Sequence, residues 1–538
     1  MRMQQLSYEL NTSKIDFGDF KASLEIFSLE NVYFPLRGTY AEKEGTYHSS
    51  SIAWGDEDLV PGEANLTHVL RRNRHVLTAK ASLDRLVRSI KIRFDDLPIG
   101  TLLTTIDHDK PITENGLLLT YPEGWRGLQT PLLVFDVGGK YLVIRSLSGP
   151  VKTHHFFMRA HEGKMWVDVV YEEDATELTN SICSPEIEVY YADSLEEVYE
   201  EQRQYVESTY GLVHYENRGD VPSWFKQISL VVTLHMEAYT GKIFHTYEQA
   251  KNEILELTKY IEGKRILVYL PGWEGRYYFK YGNYTPDDRL GGPKALKDMV
   301  DALHQKGVRV MAMYGMNMVN SNLPGYETWG EPSEFFTCGG GHFHSGSVDW
   351  EGGRHYDSSF LRQTNVAVKC FQDYLFEQIK SATLAYGFDA AFLDIAACHV
   401  NDRNAKLYDG VVEFCDRLRT IQKDFLVAGE GYYDGLAKAM PLFQSGHTDG
   451  DMHYHDRFYA PLFGDYSREF SHLCLGDFSR LSSGTHELGI SPETRAPYRK
   501  SIIPTLCLVD GTLEKCLPEV RKTIEDAKRY AKEFIDGD

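Results

Sequence analysis

The chain has 538 residues, 42% hydrophobic and 25% charged, which is more than one hydrophobic core usually serves and excludes a largely disordered polypeptide. A formal net charge of -21 repels phosphate backbones and anionic lipid, so nucleic acid and membranes are excluded as partners while a neutral substrate is not. The eight cysteines form no CxxC pair, the stretch Met1–Phe20 carries no apolar leader, and no apolar run is long enough to cross a bilayer; a cytoplasmic location is expected.

Residues 1–190 read as β. Short runs such as ASLEIFSL, VRSIKIRF, PLLVFDV, KYLVIRSL, MWVDVVY and EIEVYY are separated by Gly, Pro and Asp clusters, and an all-β sandwich is the expected solution. Residues 191–224 form a helical linker, opened by Ser194 with Glu197 three residues on, a capping-box pattern. From residue 225 to 538 the pattern becomes strand then helix, repeated. ISLVVTLH is apolar throughout, as a strand buried on both faces should be. Thr246 and Gln249 form a second capping-box pattern, and RILVYLPGW follows. Gly292 and Pro293 open the next helix, Leu296, Met299, Val300 and Leu303 recur along it, and Gly307 closes it before VRVMAMYGMN. A long loop over about residues 317–358 leads to a helix and the strand FDAAFLD, then a helix and FLVAGE. PLFQSG, SHLCLGDF and SIIPTLCLVDG complete eight strands, and EVRKTIEDAKRYAKEFI is a final helix. The expected fold is α/β, a C-terminal (β/α)8 barrel preceded by an N-terminal β-sandwich. A doubly wound open sheet would show an early Gly-rich phosphate turn, which this sequence lacks.

Barrel enzymes assemble their sites from loops at the C-terminal ends of the strands. Asp394 ends FDAAFLD and Glu430 ends FLVAGE, on the fourth and fifth strands, neighbours in a closed barrel. Two facing carboxylates suit glycoside hydrolysis, in which one protonates the leaving oxygen and the other attacks the anomeric carbon or activates water.

FLDIAACH and VAGEGYYD, in this strand order, resemble the barrel glycosidases that include α-amylases, α-glucosidases and α-galactosidases. That resemblance implies Asp394 as nucleophile after strand four. The amylase branch implies Glu430 as acid/base. The α-glucosidase and α-galactosidase branches take their acid from an Asp after strand six, where SGHTDGD supplies Asp449 and Asp451 as rivals. Amylases carry an Arg two residues before the nucleophile, where this chain has Phe392. The sandwich ahead of the barrel, ending in LLLTYPEGWRGLQTPLLVFDVGGKYLVIRS, resembles the α-galactosidase and α-glucosidase branches. The expected mechanism is retaining, with an α-linkage favoured and an oligosaccharide or glycoside as substrate.

Other strand ends offer sugar contacts. Trp273, Glu274 and Arg276 (with Tyr277 and Tyr278) follow strand two, and Tyr314 and Asn317 follow strand three. The long loop carries Trp329, His342, His344, Trp350, Arg354 and His355 around a GGGHFHSGS core, and His399, His447 and Asp449 follow strands four and six. Incidental packing or solvated loop residues are the plain alternative for each. No metal or cofactor is expected. A metal-dependent barrel hydrolase is a rival, from the H-x-H pairs His342/His344 and His453/His455, although barrel amidohydrolases place that motif after strand one, where only His235 stands. A non-catalytic carbohydrate-binding protein is the third reading.

Overall fold

A computed structural model describes residues 13–41, 45–54, 58–105, 109–124, 127–237, 241–275, 280–342, 360–445, 460–471, 498–508, 513 and 517–537. The chain is built as an antiparallel β-domain followed by a parallel barrel.

Antiparallel strands run from Ile15 to Ala192 in one continuous hydrogen-bonded network. Its spine is the strand Arg74–Leu97, long enough to serve both layers of the sandwich. The first part of that strand pairs with Gly62–Arg71 and Glu186–Ala192, the last part with Lys21–Ser28 and Lys164–Glu172. Alternating apolar residues, among them Leu24, Ile26, Leu77, Ile90, Ile92 and Phe94, fill the core between the layers.

Two strands of this domain are buried on both faces. In Leu132–Asp136 and Tyr141–Leu147, the side chains of Leu133, Phe135, Leu142 and Ile144 join the sandwich core. Their alternates Leu132, Val134 and Val143 join the core of the barrel instead. That second core includes Val198, Tyr199, Val206 and Tyr210 of helix α1 (Leu195–Tyr210), whose first turn is capped by the Ser194 side chain accepting the Glu197 N–H at 3.3 Å.

The barrel strands are β1 (Leu230–Leu234), β2 (Ile266–Leu270), β3 (Arg309–Gly315), β4 (Ala390–Asp394), β5 (Leu426–Glu430), β6 (Leu442–Ser445), β7 (Arg468–Ser471) and β8 (Thr505–Leu508). They pair in parallel in chain order, with β8 against β1. A parallel bridge between Glu469 and Ile502 joins β7 to the segment entering β8 and closes the ring. Helices α2 (Tyr247–Leu257), α3 (Gly292–Gln305), α4 (Lys369–Tyr386), α5 (Leu407–Leu418) and α6 (Leu517–Tyr530) lie between or after the strands. Thr246 and Gln249 form a complete capping box at α2, and Pro293 sits in the first turn of α3. Among the described residues no helix is long and apolar enough to cross a membrane.

One strand differs from the sequence-based expectation. The seventh is Arg468–Ser471, ahead of the expected SHLCLGDF, of which only Ser471 lies within the described residues. Its Arg468 and Glu469 are both buried, so an apolar-run search passes over it. The long loop after β3 also folds on itself where it is described. Met318–Asn320 pairs with Leu361–Gln363, and Trp329 stacks on Tyr374 of α4 with ring centroids 3.8 Å apart.

Candidate active site

Rings from β2, β4 and β7 meet inside the barrel: Tyr269 lies 4.4 Å from Phe392 and 5.6 Å from Phe470. Successive strand side chains alternate, so Asp394, two residues after Phe392, also faces inward and forms the next layer toward the C-terminal rim. The pairing of Phe392 with Ala428 and of Leu393 with Gly429 sets Glu430 at the level of Asp394, facing the same way. Neighbouring strands lie about 4.8 Å apart, so these carboxylates start from adjacent positions. Asp394 is 4% exposed and Glu430 8%, so both lie at the rim with limited access to water.

The chain between them is wound tightly. Ile395 adopts φ 63°, a left-handed conformation rarely taken by a β-branched residue. This turn aims the Ile395 N–H at Glu430, whose Oε2 accepts it at 2.9 Å, while the Ile395 carbonyl accepts the Asn317 side-chain amide at 3.2 Å. The Ala397 N–H bonds the Glu430 carbonyl at 3.0 Å, and the Met316 N–H bonds the Asp394 carbonyl at 3.1 Å. Asp394, Glu430 and Asn317 are thus brought together.

From the loop after β2, the phenol of Tyr281 donates a hydrogen bond to Oδ2 of Asp394. Its ring occupies the space over Gly315, the β3 residue paired with Asp394; a Cβ there would lie 2.4 Å from the ring. Sequence reasoning did not single out Tyr281. The available signal was Gly315 itself, because a glycine ending a barrel strand marks a close approach.

The β-domain reaches this end of the barrel. A Cβ on Gly124 would lie 2.2 Å from that of Ala397 and 3.0 Å from the Tyr432 nitrogen, so the turn after Tyr121 rests on the loops leaving β4 and β5. Burial pushes the Cys398 thiol up to about 12, with the charges of Glu123 and Glu430 adding to the effect. Behind Glu430, the buried Asp434 carboxylate accepts the Tyr121 hydroxyl at 2.8 Å, the Gly435 N–H at 2.7 Å and the Tyr210 hydroxyl at 3.3 Å. Burial raises its pKa to about 6 despite these donors.

Several expected sugar contacts lie elsewhere. Trp273 is fully buried, donates its indole N–H to the Met313 carbonyl at 3.0 Å and packs edge-on to Phe388 and Tyr314. Tyr314 is also fully buried, on the outward face of β3. Tyr314 alternates with the interior-facing Met313 and Gly315 and so packs outward, while Trp273, in the turn after β2, packs through its indole among these rings. Glu274 is fully buried, neither carboxyl oxygen is hydrogen-bonded to another of the described residues, and burial pushes its pKa up to about 8. Burial thus favours its neutral form over a charged grip on hydroxyls. His399 turns toward the β-domain, where it lines an interdomain crevice of about 220 Å³ with Lys152, Asp174 and Lys406. Burial lowers its pKa to about 4, so it stays neutral. Arg276, His344, Trp350, His447, Asp449 and Asp451 lie outside the described residues, as do Tyr277, Tyr278, Arg354, His355, His453 and His455.

Of the H-x-H pairs only His342 is described, with Nδ1 2.9 Å from a Glu334 oxygen. Among the described residues, one acidic group has metal-like spacing, Glu173, Asp174 and Glu177. Lys152 lies 3.4 Å from Glu173, and Lys406 lies 3.3 Å from Asp174 and 2.5 Å from Glu177, so lysines already answer those charges.

No family model matches the sequence, and no curated protein matches it. Solved structures do. The α-N-acetylgalactosaminidase NagBb from Bifidobacterium bifidum, in complex with GalNAc, superposes with a TM-score of 0.67 at 12% identity, over 97% of this chain and 93% of that one. The GH36 α-galactosidase AgaA from Geobacillus stearothermophilus, with raffinose, gives 0.54 at 12% identity over 95% and 72%. An α-galactosidase from Lactobacillus brevis gives 0.54 at 11% identity over 96% and 71%. Over nearly its whole length this chain therefore has the fold of these glycosidase structures, a β-rich domain followed by a (β/α)8 barrel.

Proposed function

We propose that this protein is a retaining glycoside hydrolase acting on α-linked galactose or N-acetylgalactosamine. The observation that carries the reading is the placement of Asp394 and Glu430 at one level on adjacent strands, joined through the Ile395 N–H. Retaining enzymes hold their two carboxyl groups about 5–5.5 Å apart, a spacing that neighbouring barrel strands supply. The sugar class follows the names of the similar structures, an α-N-acetylgalactosaminidase and α-galactosidases.

In this mechanism Oδ1 of Asp394 attacks the anomeric carbon as the glycosidic bond breaks, and Glu430 protonates the departing oxygen. The bond from Ile395 marks Oε2 of Glu430 as an acceptor, so the transferable proton rides on Oε1. In the second step Glu430 takes a proton from water, which attacks the same carbon and releases Asp394.

The test is hydrolysis of nitrophenyl α-galactoside and α-N-acetylgalactosaminide, with proton NMR of the first sugar released. An α-anomer formed first supports retention, and a β-anomer excludes it. Asp394→Ala should lower kcat by orders of magnitude. Glu430→Ala should do the same for poor leaving groups and should form the α-glycosyl azide when azide is added. Full activity in Glu430→Ala with a dead Asp449→Ala or Asp451→Ala moves the acid to the loop after β6. Saccharide binding without turnover would favour a binding protein, and loss of turnover on chelation a metal hydrolase.

A further inference from the structure

Resting on that reading of Asp394, we propose that Tyr281 is the positioning residue for the nucleophile: it holds Oδ2 so that Oδ1 faces the anomeric carbon, and it assists the departure of Asp394 in the second step.

The phenol is fixed from several directions. The Tyr281 carbonyl accepts the Asn320 N–H at 3.0 Å. The next residue, Gly282, has φ 94°, accepts the Tyr374 hydroxyl on its carbonyl at 2.7 Å, and fits between Leu323 and Trp329. The ring fills the hollow over Gly315, and Tyr281 is fully buried. A donor held this firmly needs no reorganisation when charge develops on its partner, the condition under which one hydrogen bond contributes most to catalysis.

The bond does not act equally on the two steps. In the free enzyme Oδ2 carries part of a full negative charge, and the bond from Tyr281 is charge-assisted. When Oδ1 bonds to the anomeric carbon, Oδ2 becomes the carbonyl oxygen of a neutral ester and the bond weakens. As water attacks and the Oδ1–carbon bond breaks, charge returns to the carboxylate and the bond strengthens again. The phenol keeps its proton throughout; only Glu430 donates and recovers one. Tyr281 therefore favours breakdown of the glycosyl-enzyme more than its formation.

The experiment is Tyr281→Phe, assayed on a dinitrophenyl glycoside whose leaving group makes the first step fast. kcat is expected to fall about a hundredfold, the usual cost of losing one preorganised donor. KM should fall in parallel, with a burst of dinitrophenolate before the steady state. The acidic limb of the kcat/KM profile should move to higher pH, because the Asp394 carboxylate loses a donor; loosened packing alone would not produce that shift. A folded Tyr281→Phe protein with kcat within threefold, no burst and an unmoved acidic limb overturns the proposal. Should that variant fail to fold, 3-fluorotyrosine at position 281 preserves the shape while making a stronger donor, and the acidic limb should move to lower pH; an unmoved limb overturns the proposal there too. Full turnover by Asp394→Ala overturns the underlying reading, whereas a dead Asp394→Ala beside a silent Tyr281→Phe overturns only the role of Tyr281.

Discussion

The Glu430 carboxylate accepts the backbone N–H of Ile395 at 2.9 Å, and Ile395 is the residue that follows Asp394. Asp394 and Glu430 are thereby tied through one peptide, which reaches Glu430 in a left-handed conformation. That conformation costs about 1–2 kcal/mol for an ordinary L-residue. Such strain collects where the surrounding structure fixes a functional geometry.

Replacement of Ile395 tests whether the turn or the side chain matters. Asn visits left-handed backbone readily and keeps the N–H. Ile395→Asn should keep the melting temperature within about 2 °C of the parent, because relief of strain offsets lost apolar contact. Ile395→Pro, with φ locked near −65° and no N–H, should lose about 3 kcal/mol or more of stability and nearly all turnover. Parallel thermal melts and kcat measurements check this. Comparable damage from both substitutions would show that the side chain, not the turn, is what matters.

Gly315→Ala places a Cβ within 2.4 Å of the Tyr281 ring, so the ring must move and its bond to Asp394 is lost. Overpacking of this kind costs about 1–3 kcal/mol. kcat should fall at least tenfold, as expected for a displaced hydrogen-bond donor. Because both substitutions act on one interaction, Gly315→Ala combined with Tyr281→Phe should cost little more in kcat than the worse single change. Independent, multiplying losses would separate Gly315 from Asp394.

Glu274 carries a pH-dependent stability penalty. Its folded pKa of about 8 lies above the 4.5 of an unperturbed glutamate. Between those values the folded chain holds a proton that the unfolded chain has released, so stability falls as pH rises through that window. The full loss, on the order of 4–5 kcal/mol, is reached above the folded value. Asp434 acts in the same direction between 3.8 and about 6. Glu274→Met removes two buried oxygens that no other described residue bonds and should raise the urea midpoint, more at pH 8.5 than at pH 5.5, with turnover unchanged. A stable but inactive Glu274→Met protein would restore this residue to substrate binding.

The barrel was legible where its strands are apolar on both faces, as in Leu230–Leu234 and Ile266–Leu270, and where a charge ends such a run, as at Asp394 and Glu430. β7 was hidden because Arg468 and Glu469 are buried in place of apolar side chains. Tyr314 was expected as a sugar contact from its place after the third strand, while its position paired with Leu393 turns it outward toward the helices. Tyr281 and the turn at Gly124 could not be read from local pattern, since each matters only through a residue far away in the chain.

The two strands Leu132–Asp136 and Tyr141–Leu147 give one face to each core. The boundary between the two halves is thus a shared wall, apolar on either side, and neither half owns it. Heating should produce a single cooperative transition, since melting the β-domain strips Leu132, Val134 and Val143 from the barrel core. A barrel expressed from residue 225 onward would expose that contact to water and precipitate, so any truncated barrel fragment must retain the wall.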